Sequence, residues 1–188
     1  NKYNYSGFDY SSDMIRLCKS KNPKNTFTLG DMRSFSLKSK QESILITGRT
    51  SSYLLSNKDI CDALQSIYAN LKPAGILCFD FIDANRFFKE IKGGKKVEHL
   101  ATFNQKNYKR DSFFNTNTSE NFMFDWQAEY YEVNEKESKL IAKDASEVRA
   151  FTKNEWEIFL YLNNFELLEF IDRKSYAFDT YVIVAKKC

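Results

Sequence analysis

The sequence predicts an α/β protein. A largely parallel sheet with flanking helices is interrupted by an antiparallel β-insertion and closed by antiparallel edge strands. Three observations carry that prediction. Short apolar runs alternate with amphipathic helical segments along the first 90 or so residues, with short connections. That order requires parallel pairing through right-handed crossovers. The run S-I-L-I-T at 43–47 is apolar without alternation, as in a strand buried on both faces. From about residue 97 the pattern switches to period two, the mark of strands with two unlike faces.

Residues 3–9 read as a short strand ending in an acid, Asp9. Residues 12–21 form a helix capped by Ser11 or Ser12, with Met14, Ile15, Leu17 and Cys18 inward; Asn22-Pro23 stops it. The strand 26–29 ends in Gly30-Asp31, and Phe35 and Leu37 lead through a polar linker to the strand at 43–47. Ser56 or Asn57 caps the next helix, whose Ile60, Leu64, Ile67, Tyr68 and Leu71 make one buried stripe. Lys72-Pro73-Ala74-Gly75 reads as a turn, 76–82 as a buried strand and 84–91 as a short helix. After a Gly-Lys loop, the segments 97–103, 108–114, 122–130 and 139–151 read as three or four antiparallel strands, with a hairpin turn at 134–138. On the third, Phe122, Phe124, Trp126, Ala128 and Tyr130 share one face, and Met123, Asp125, Gln127 and Glu129 the other. Thr152 and Glu155 form a capping box for a helix bearing Trp156, Phe159, Leu160 and Leu162. Strands at 165–172 and 180–185 close the chain. Residues 1–91 and 152–188 thus make the core unit, and 92–151 the insertion.

At 188 residues the chain is one domain, or one domain with a large insertion. Its 17 Phe and 11 Tyr call for an aromatic core or an aromatic-lined pocket. A net charge of +3 from 28 basic and 25 acidic residues is too balanced to imply nucleic acid, and the basic clusters at 92–96 and 106–110 read as solvated loops. Among the 4 cysteines no CxxC spacing occurs. Cys18, Cys61 and Cys78 fall at apolar-periodic positions and read as small buried hydrophobes in a reducing compartment. The lone histidine, His99, reads as an ordinary strand residue, with a general base as the alternative, and no metal site is expected. With no apolar run near the ~20 residues of a membrane span and no signal peptide, the expectation is a cytoplasmic protein without a membrane partner.

Ligands of parallel sheets bind at the carboxyl ends of the strands. The carboxylate of Asp9 can take two hydrogen bonds from the vicinal hydroxyls of a ribose. Asp31, one strand over, can sit beside the exocyclic amine of an adenine. The pair reads as a nucleoside clamp.

The segments G-F-D-Y-S-S-D-M (7–14), G-D-M (30–32), L-K-P-A-G-I-L-C-F-D (71–80) and E-V-R-A-F-T (147–152) resemble class I S-adenosylmethionine-dependent methyltransferases, and the resemblance spans nearly the whole chain. It implies a Rossmann-like sheet, S-adenosylmethionine as donor and S-adenosylhomocysteine as product. In that family the first acid binds the ribose, the aspartate after the next strand lies by the adenine, and the residue following offers its N–H to the ring. Carried over, these are Asp9, Asp31 and Met32. Tyr10, Met14, Gly30, Thr47 and Gly48 complete the expected cofactor set, with helix packing as the alternative for Met14. One family feature is absent: the G-x-G-x-G turn after the first strand. Gly93-Gly94 stands in the wrong context to replace it. The expectation is therefore a chain entering at the family's second strand, with a further strand and helix upstream in a longer protein. The alternative is a degenerate relative that binds cofactor poorly.

On the acceptor side, I-T-G-R-T-S-S-Y-L (46–54) lacks the Asn/Asp-Pro-Pro-aromatic motif of nucleic-acid adenine and protein-glutamine methyltransferases. It resembles instead the small-molecule N-methyltransferases, including those acting on amino sugars and glycine-like amines, which share the β-insertion and E-V-R-x-F-T. Methyl transfer demands alignment and desolvation more than a catalytic triad. Arg49 is a candidate for gripping a substrate carboxylate or phosphate, or else forms a salt bridge to Asp83 or to a neighbouring helix. Tyr53 closes the pocket or simply packs. Asp83 accepts a proton and orients the amine, or caps the helix after it. Trp126 and Tyr130 line an aromatic substrate wall or belong to the core. Arg149 reaches the pocket or pairs with a carboxylate across the sheet. The expected function is methylation of a small molecule at an amine nitrogen, with the insertion as acceptor lid or homodimer surface. A non-catalytic binding protein on the same scaffold and an RNA methyltransferase are the alternatives. A nucleotide-sugar or NAD enzyme would leave 30–32 and 147–149 without a role.

Overall fold

The structure, a computed structural model, describes residues 5–91, 94–116, 122–174 and 179–188. The first strand β1 (Ser6–Asp9), helix α1 (Ser12–Lys21) and strand β2 (Thr26–Leu29) form one β-α-β unit. β1 and β2 pair in parallel, Asp9 opposite Leu29, and Gly30 N–H continues the ladder to Asp9 O at 3.0 Å. Ser11 caps α1, its hydroxyl accepting from Met14 N–H at 3.3 Å. Residues 3 and 4 of the expected first strand lie outside the described residues, and Tyr5 precedes β1.

The second unit runs β3 (Gln41–Ile46), a 3₁₀ turn (Thr50–Tyr53), α2 (Asn57–Asn70), β4 (Leu71–Phe81) and α3 (Ala84–Glu90). Near the end of the chain come α4 (Lys153–Leu162), β9 (Phe165–Arg173) and β10 (Thr180–Lys187). β3 and β4 are parallel; β10 lies antiparallel between β4 and β9. The sheet order is β3-β4-β10-β9, and no hydrogen-bond ladder joins it to β1-β2 among the described residues. Both expected caps form: Ser56 caps α2 and Thr152 with Glu155 caps α4, and Asp59 completes a reciprocal box at α2 as well. The main core packs Ile60, Leu64 and Ile67 of α2 against Phe79 of β4 and Trp156 and Leu160 of α4. The Trp156 ring lies 4.7 Å from Phe79 and 4.6 Å from Phe151.

Between α3 and α4 lies a separate antiparallel meander of four strands: β5 (Lys95–Phe103), β6 (Lys106–Thr116), β7 (Met123–Val133) and β8 (Ser138–Arg149). The turn at Asn134 closes on Glu137 as expected. One face of this sheet buries Phe114, Phe124 and Val148 against Ile82, Phe87 and Ile91, a second core. The other carries an ionic lattice, with Lys96 and Lys109 on Asp111 (2.9 and 3.1 Å) and Lys143 on Glu129 (2.7 Å).

Four local expectations need correction. First, β3 is not buried on both faces: Ile44 and Ile46 pack against the main core, while Leu45 is 65% exposed. Its apolar run meets α2 on one side, and nothing among the described residues covers the other. Second, α1 buries Ile15 alone of its four inward candidates, because only β1 and β2 lie beneath it; Cys18, Cys61 and Cys78 are likewise half-buried rather than buried. Third, 72–75 is not a free turn. α2 stops at Asn70, Leu71 already pairs with Gln41, and the ladder resumes at Ser43–Ile76, leaving a bulge inside β4. Ala74 there takes φ 57°, and a Cβ on Gly75 would sit 2.9 Å from Lys72 O. Only glycine permits that approach. Fourth, Phe122 lies before β7 rather than on it, with φ 57° and half-exposed, although its ring still meets Phe88 as Phe124 does.

Candidate active site

Asp9 ends β1, and Asp31 follows the end of β2, the strand paired beside it. Asp9 Oδ1 accepts Ser11 N–H at 2.8 Å, which holds the carboxylate at the head of α1; its second oxygen has no partner among the described residues. Asp31 is more heavily engaged. Arg33 donates its backbone N–H to Oδ1 (2.9 Å), its Nε to both oxygens and its Nη2 to Oδ2 (2.6 Å). Arg33 Nη1 then bridges to Asp59 at 2.9 Å. The Arg33 guanidinium holds the Asp31 carboxyl below its ordinary range, against the opposing effect of burial. Met32 packs against the main core, and its N–H has no protein acceptor among the described residues. Tyr10 is 80% exposed and Met14 half-exposed beside Asp9. Gly30 lies tightly over Phe8, which a Cβ would meet at 3.3 Å.

At the end of β3 the chain reverses through Thr47, Gly48 and Arg49. Gly48 (φ 76°) and Arg49 (φ 62°) are both left-handed. A Cβ at Gly48 would meet nothing within 4 Å, so the glycine serves the backbone conformation rather than a close contact. The turn is held by Asp80, buried in β4. Asp80 Oδ1 accepts Arg49 N–H at 2.8 Å, Oδ2 pairs with Arg173 at 2.7 Å, and the Asp80 carbonyl accepts from Ser51 Oγ at 2.7 Å. Thr47 O accepts from Thr50 Oγ1 at 2.7 Å, which starts the 3₁₀ turn.

That turn packs against β8, so the strand-end loop faces the insertion. Tyr53 lies near Ser146 and within electrostatic reach of Asp144, Arg49 and Tyr130. Burial, and then the Asp144 charge, push its phenol above the ordinary value, so Tyr53 stays a hydrogen-bond donor at neutral pH. His99 and Arg110 sit opposite each other on β5 and β6, with Tyr130 opposite Arg110 on β7. Arg110 Nη2 lies 3.2 Å from His99 Nδ1. Burial, then the Arg110 and Arg49 cations, lower the imidazole's affinity for a proton. Neutral His99 therefore accepts at Nδ1 and carries its proton on Nε2.

Asp83 is buried at the end of β4. It stands at the N-cap of α3 but makes no side-chain cap bond. Its Oδ1 has no partner among the described residues, and Oδ2 is 3.9 Å from Arg86 Nε. Arg86 is itself bound to Asp172 and Tyr181. The expected alternative for Arg49, an ion pair with Asp83, is not what engages Asp83. Trp126 packs beside the second core, separate from Tyr130 near the Tyr53 hydroxyl. Arg149 turns away from the strand-end site. Its guanidinium donates to Leu55 O (3.1 Å), Asn57 Oδ1 (2.9 Å) and Glu155 Oε1 (3.1 Å), tying β8 to the starts of α2 and α4. It pairs with a carboxylate, but with Glu155 of α4 rather than one across the sheet.

Sequence reasoning passed over Asp80, Arg110, Ser112, Asp144 and Ser146. Asp80 was visible as an acid inside a buried strand, a residue type seldom buried without a partner. Arg110 is the cross-strand partner of His99 and Ser112 shares its face, but the strand pairing that assembles them is not written in local periodicity.

No family model matches the sequence, and no curated protein matches it. Solved structures do resemble it in three dimensions. An S-adenosylmethionine-dependent methyltransferase from Clostridium acetobutylicum superposes with a TM-score of 0.77 at 14% identity, over 98% of this chain and 75% of that one. An amino pentose methyltransferase from Micromonospora echinaspora, solved with S-adenosylmethionine bound, gives 0.73 at 16% identity over 98% and 74%. A sugar N-methyltransferase from Streptoalloteichus gives 0.73 at 14% identity over 95% and 70%. The chain has the Rossmann-like fold of the S-adenosylmethionine-dependent methyltransferases, extended by an antiparallel sheet. Among the described residues no helix is long and apolar enough to cross a membrane.

Proposed function

We propose that the protein is an S-adenosylmethionine-dependent methyltransferase acting on an amine nitrogen of a small molecule. The observation that carries the reading is the juxtaposition, on this fold, of Asp9 and the 30–32 turn at adjoining strand ends. Arg49 and Tyr53 follow the end of β3, and Asp83 follows the end of its parallel neighbour β4.

The residues fit a nucleoside. Asp9 keeps one carboxylate oxygen without a protein partner for a ribose hydroxyl, and Met32 N–H is available to a ring nitrogen. Asp31 fits less simply, since Arg33 already occupies both of its oxygens. Its role is to hold the 31–34 turn, closed by Ser34 N–H on Asp31 O at 3.1 Å, with its remaining acceptor capacity toward the adenine amine. When bound, the cofactor supplies a methyl group on a sulfonium, open to displacement by a nitrogen lone pair. The chain's own residues do the rest. Asp83 Oδ1, buried and unpartnered among the described residues, holds an amine N–H and takes the proton that nitrogen gives up. Tyr53, kept protonated, donates to the acceptor. The insertion, packed on the 3₁₀ turn, excludes water from the transfer. A soluble small-molecule acceptor fits this enclosed arrangement; a second copy of the chain across the insertion is a further arrangement that the exposed ionic face of β5–β8 allows.

The test is mass spectrometry of a panel of primary and secondary amines incubated with deuteromethyl-labelled S-adenosylmethionine. The expected result is a labelled N-methyl product that Asp83→Asn abolishes. Label on oxygen or carbon acceptors alone, or equal labelling by Asp83→Asn, overturns the assignment.

A further inference from the structure

Resting on that reading of the acceptor site, we infer that the acceptor carries an acidic group, a carboxylate or a phosphate, and that Arg110 and Ser112 of the insertion seat it together with Arg49. Neither insertion residue belongs to the cofactor half of the site.

Cross-strand pairing fixes their placement. Arg110, Ser112 and Phe114 alternate along β6 and therefore share one face, with His99, Val97 and Lys95 opposite on β5 and Tyr130, Ala128 and Trp126 opposite on β7. Phe114 buries that face against α3, so Arg110 and Ser112 point inward as well, toward the strand-end loop rather than toward the ionic lattice on the other side. Lys96 and Lys109, on the outer face, are neutralised by Asp111. Arg110 makes no ion pair among the described residues, and its one side-chain contact there is the neutral His99 ring.

Two donors on this face are buried without a partner among the described residues: Arg110 Nε and Ser112 Oγ. Ser112 is 1% exposed. A buried guanidinium N–H and a buried hydroxyl left unmatched each carry a desolvation cost, which an anion placed between them offsets. Arg49 adds a second cation to the same locality, since its field reaches both His99 and Tyr53. Arginine forks suit carboxylate and phosphate oxygens geometrically.

The chain has one histidine, and its ring proton resonance is a built-in reporter for this seat. Sodium phosphate and, separately, sodium acetate are titrated into the protein at constant ionic strength set with chloride. The expected result is a saturable shift of the His99 signal with at least one of the two. Saturation by phosphate alone assigns a phosphate ester, and saturation by acetate assigns a carboxylate. Arg110→Gln weakens the apparent affinity at least about tenfold, the loss of one charge-assisted contact, and Ser112→Ala weakens it severalfold with the fold intact by circular dichroism. Arg110→Lys, which keeps the charge without the fork, falls between. A shift that tracks ionic strength without saturating overturns the inference, as does one unchanged by both Arg110→Gln and Ser112→Ala. S-adenosylhomocysteine titrated in parallel separates the two readings. Anion binding without cofactor binding removes methyl transfer and leaves the seat; cofactor binding without anion binding removes the seat alone.

Discussion

Asp80 is the residue on which the acceptor loop hangs, and its removal can be priced from the structure. It is 4% exposed and makes two side-chain contacts: Arg49 N–H at 2.8 Å and Arg173 Nη1 at 2.7 Å. A backbone N–H donating to a buried carboxylate contributes about 1.5–3 kcal/mol, and Asp80→Ala leaves that donor without its partner. The Arg173 pair adds about 0–1 kcal/mol, because half of the Arg173 side chain faces solvent. The sum is about 1.5–4 kcal/mol. In a domain of this size that lowers Tm by roughly 3–16 °C. Urea unfolding followed by tryptophan fluorescence measures the loss, and Arg173→Gln, which deletes the pair while sparing the Arg49 bond, is expected to cost less than about 1 kcal/mol. A loss below about 0.5 kcal/mol for Asp80→Ala, or an equal loss in the two variants, refutes the argument that the left-handed turn is held from β4.

Arg149→Met is expected to cost about 3 kcal/mol, since it strands Glu155 and two acceptors at the starts of α2 and α4, while leaving S-adenosylhomocysteine affinity unchanged; a large loss of ligand affinity at unchanged stability would return Arg149 to the site. His99 is expected to titrate below the ordinary 6.5. A folded value below the unfolded one means that its contribution to stability is fully present above about pH 6.5 and is lost as pH falls through the folded value. A nuclear magnetic resonance titration with a midpoint at or above 6.5 contradicts the two-guanidinium environment. Tyr53→Phe is expected to lower kcat/KM for the acceptor severalfold, through loss of one hydrogen-bond donor, with cofactor affinity unaltered; an equal loss of both points to a structural tyrosine.

Most of the architecture was legible in the sequence because it is encoded locally. Ser56 with Asp59 and Thr152 with Glu155 mark helix starts in their own side-chain chemistry, and the alternation through Phe124, Trp126 and Ala128 writes the faces of β7 directly. What escaped depends on neighbours. An apolar run such as 43–47 states that its residues can be buried, not whether both faces are, and Leu45 shows the difference. Pro73 and Gly75 announce an irregularity in the chain but not that the strand absorbs it as a bulge. For the site, strand-end carboxylates and the Arg49 turn were readable from their position after apolar runs. Arg110, Ser112 and Ser146 were not, because each acquires meaning from a residue on another strand. Arg149 illustrates the converse: an arginine between apolar neighbours announces burial, and only the fold shows that its partners are Asn57 and Glu155.

The most direct measurement is calorimetric titration of S-adenosylhomocysteine into the wild-type protein, Asp9→Ala and Asp9→Asn. Saturable binding is expected, weakened about 10- to 150-fold by Asp9→Ala, the equivalent of about 1.5–3 kcal/mol for hydrogen bonds to a charged group. Asp9→Asn keeps an acceptor for Ser11 N–H and so preserves the start of α1 while losing the charge, and it is expected to weaken binding as well. Binding with the same affinity in all three proteins, or none in the wild type, would contradict the claim that the ends of β1 and β2 form a nucleoside site.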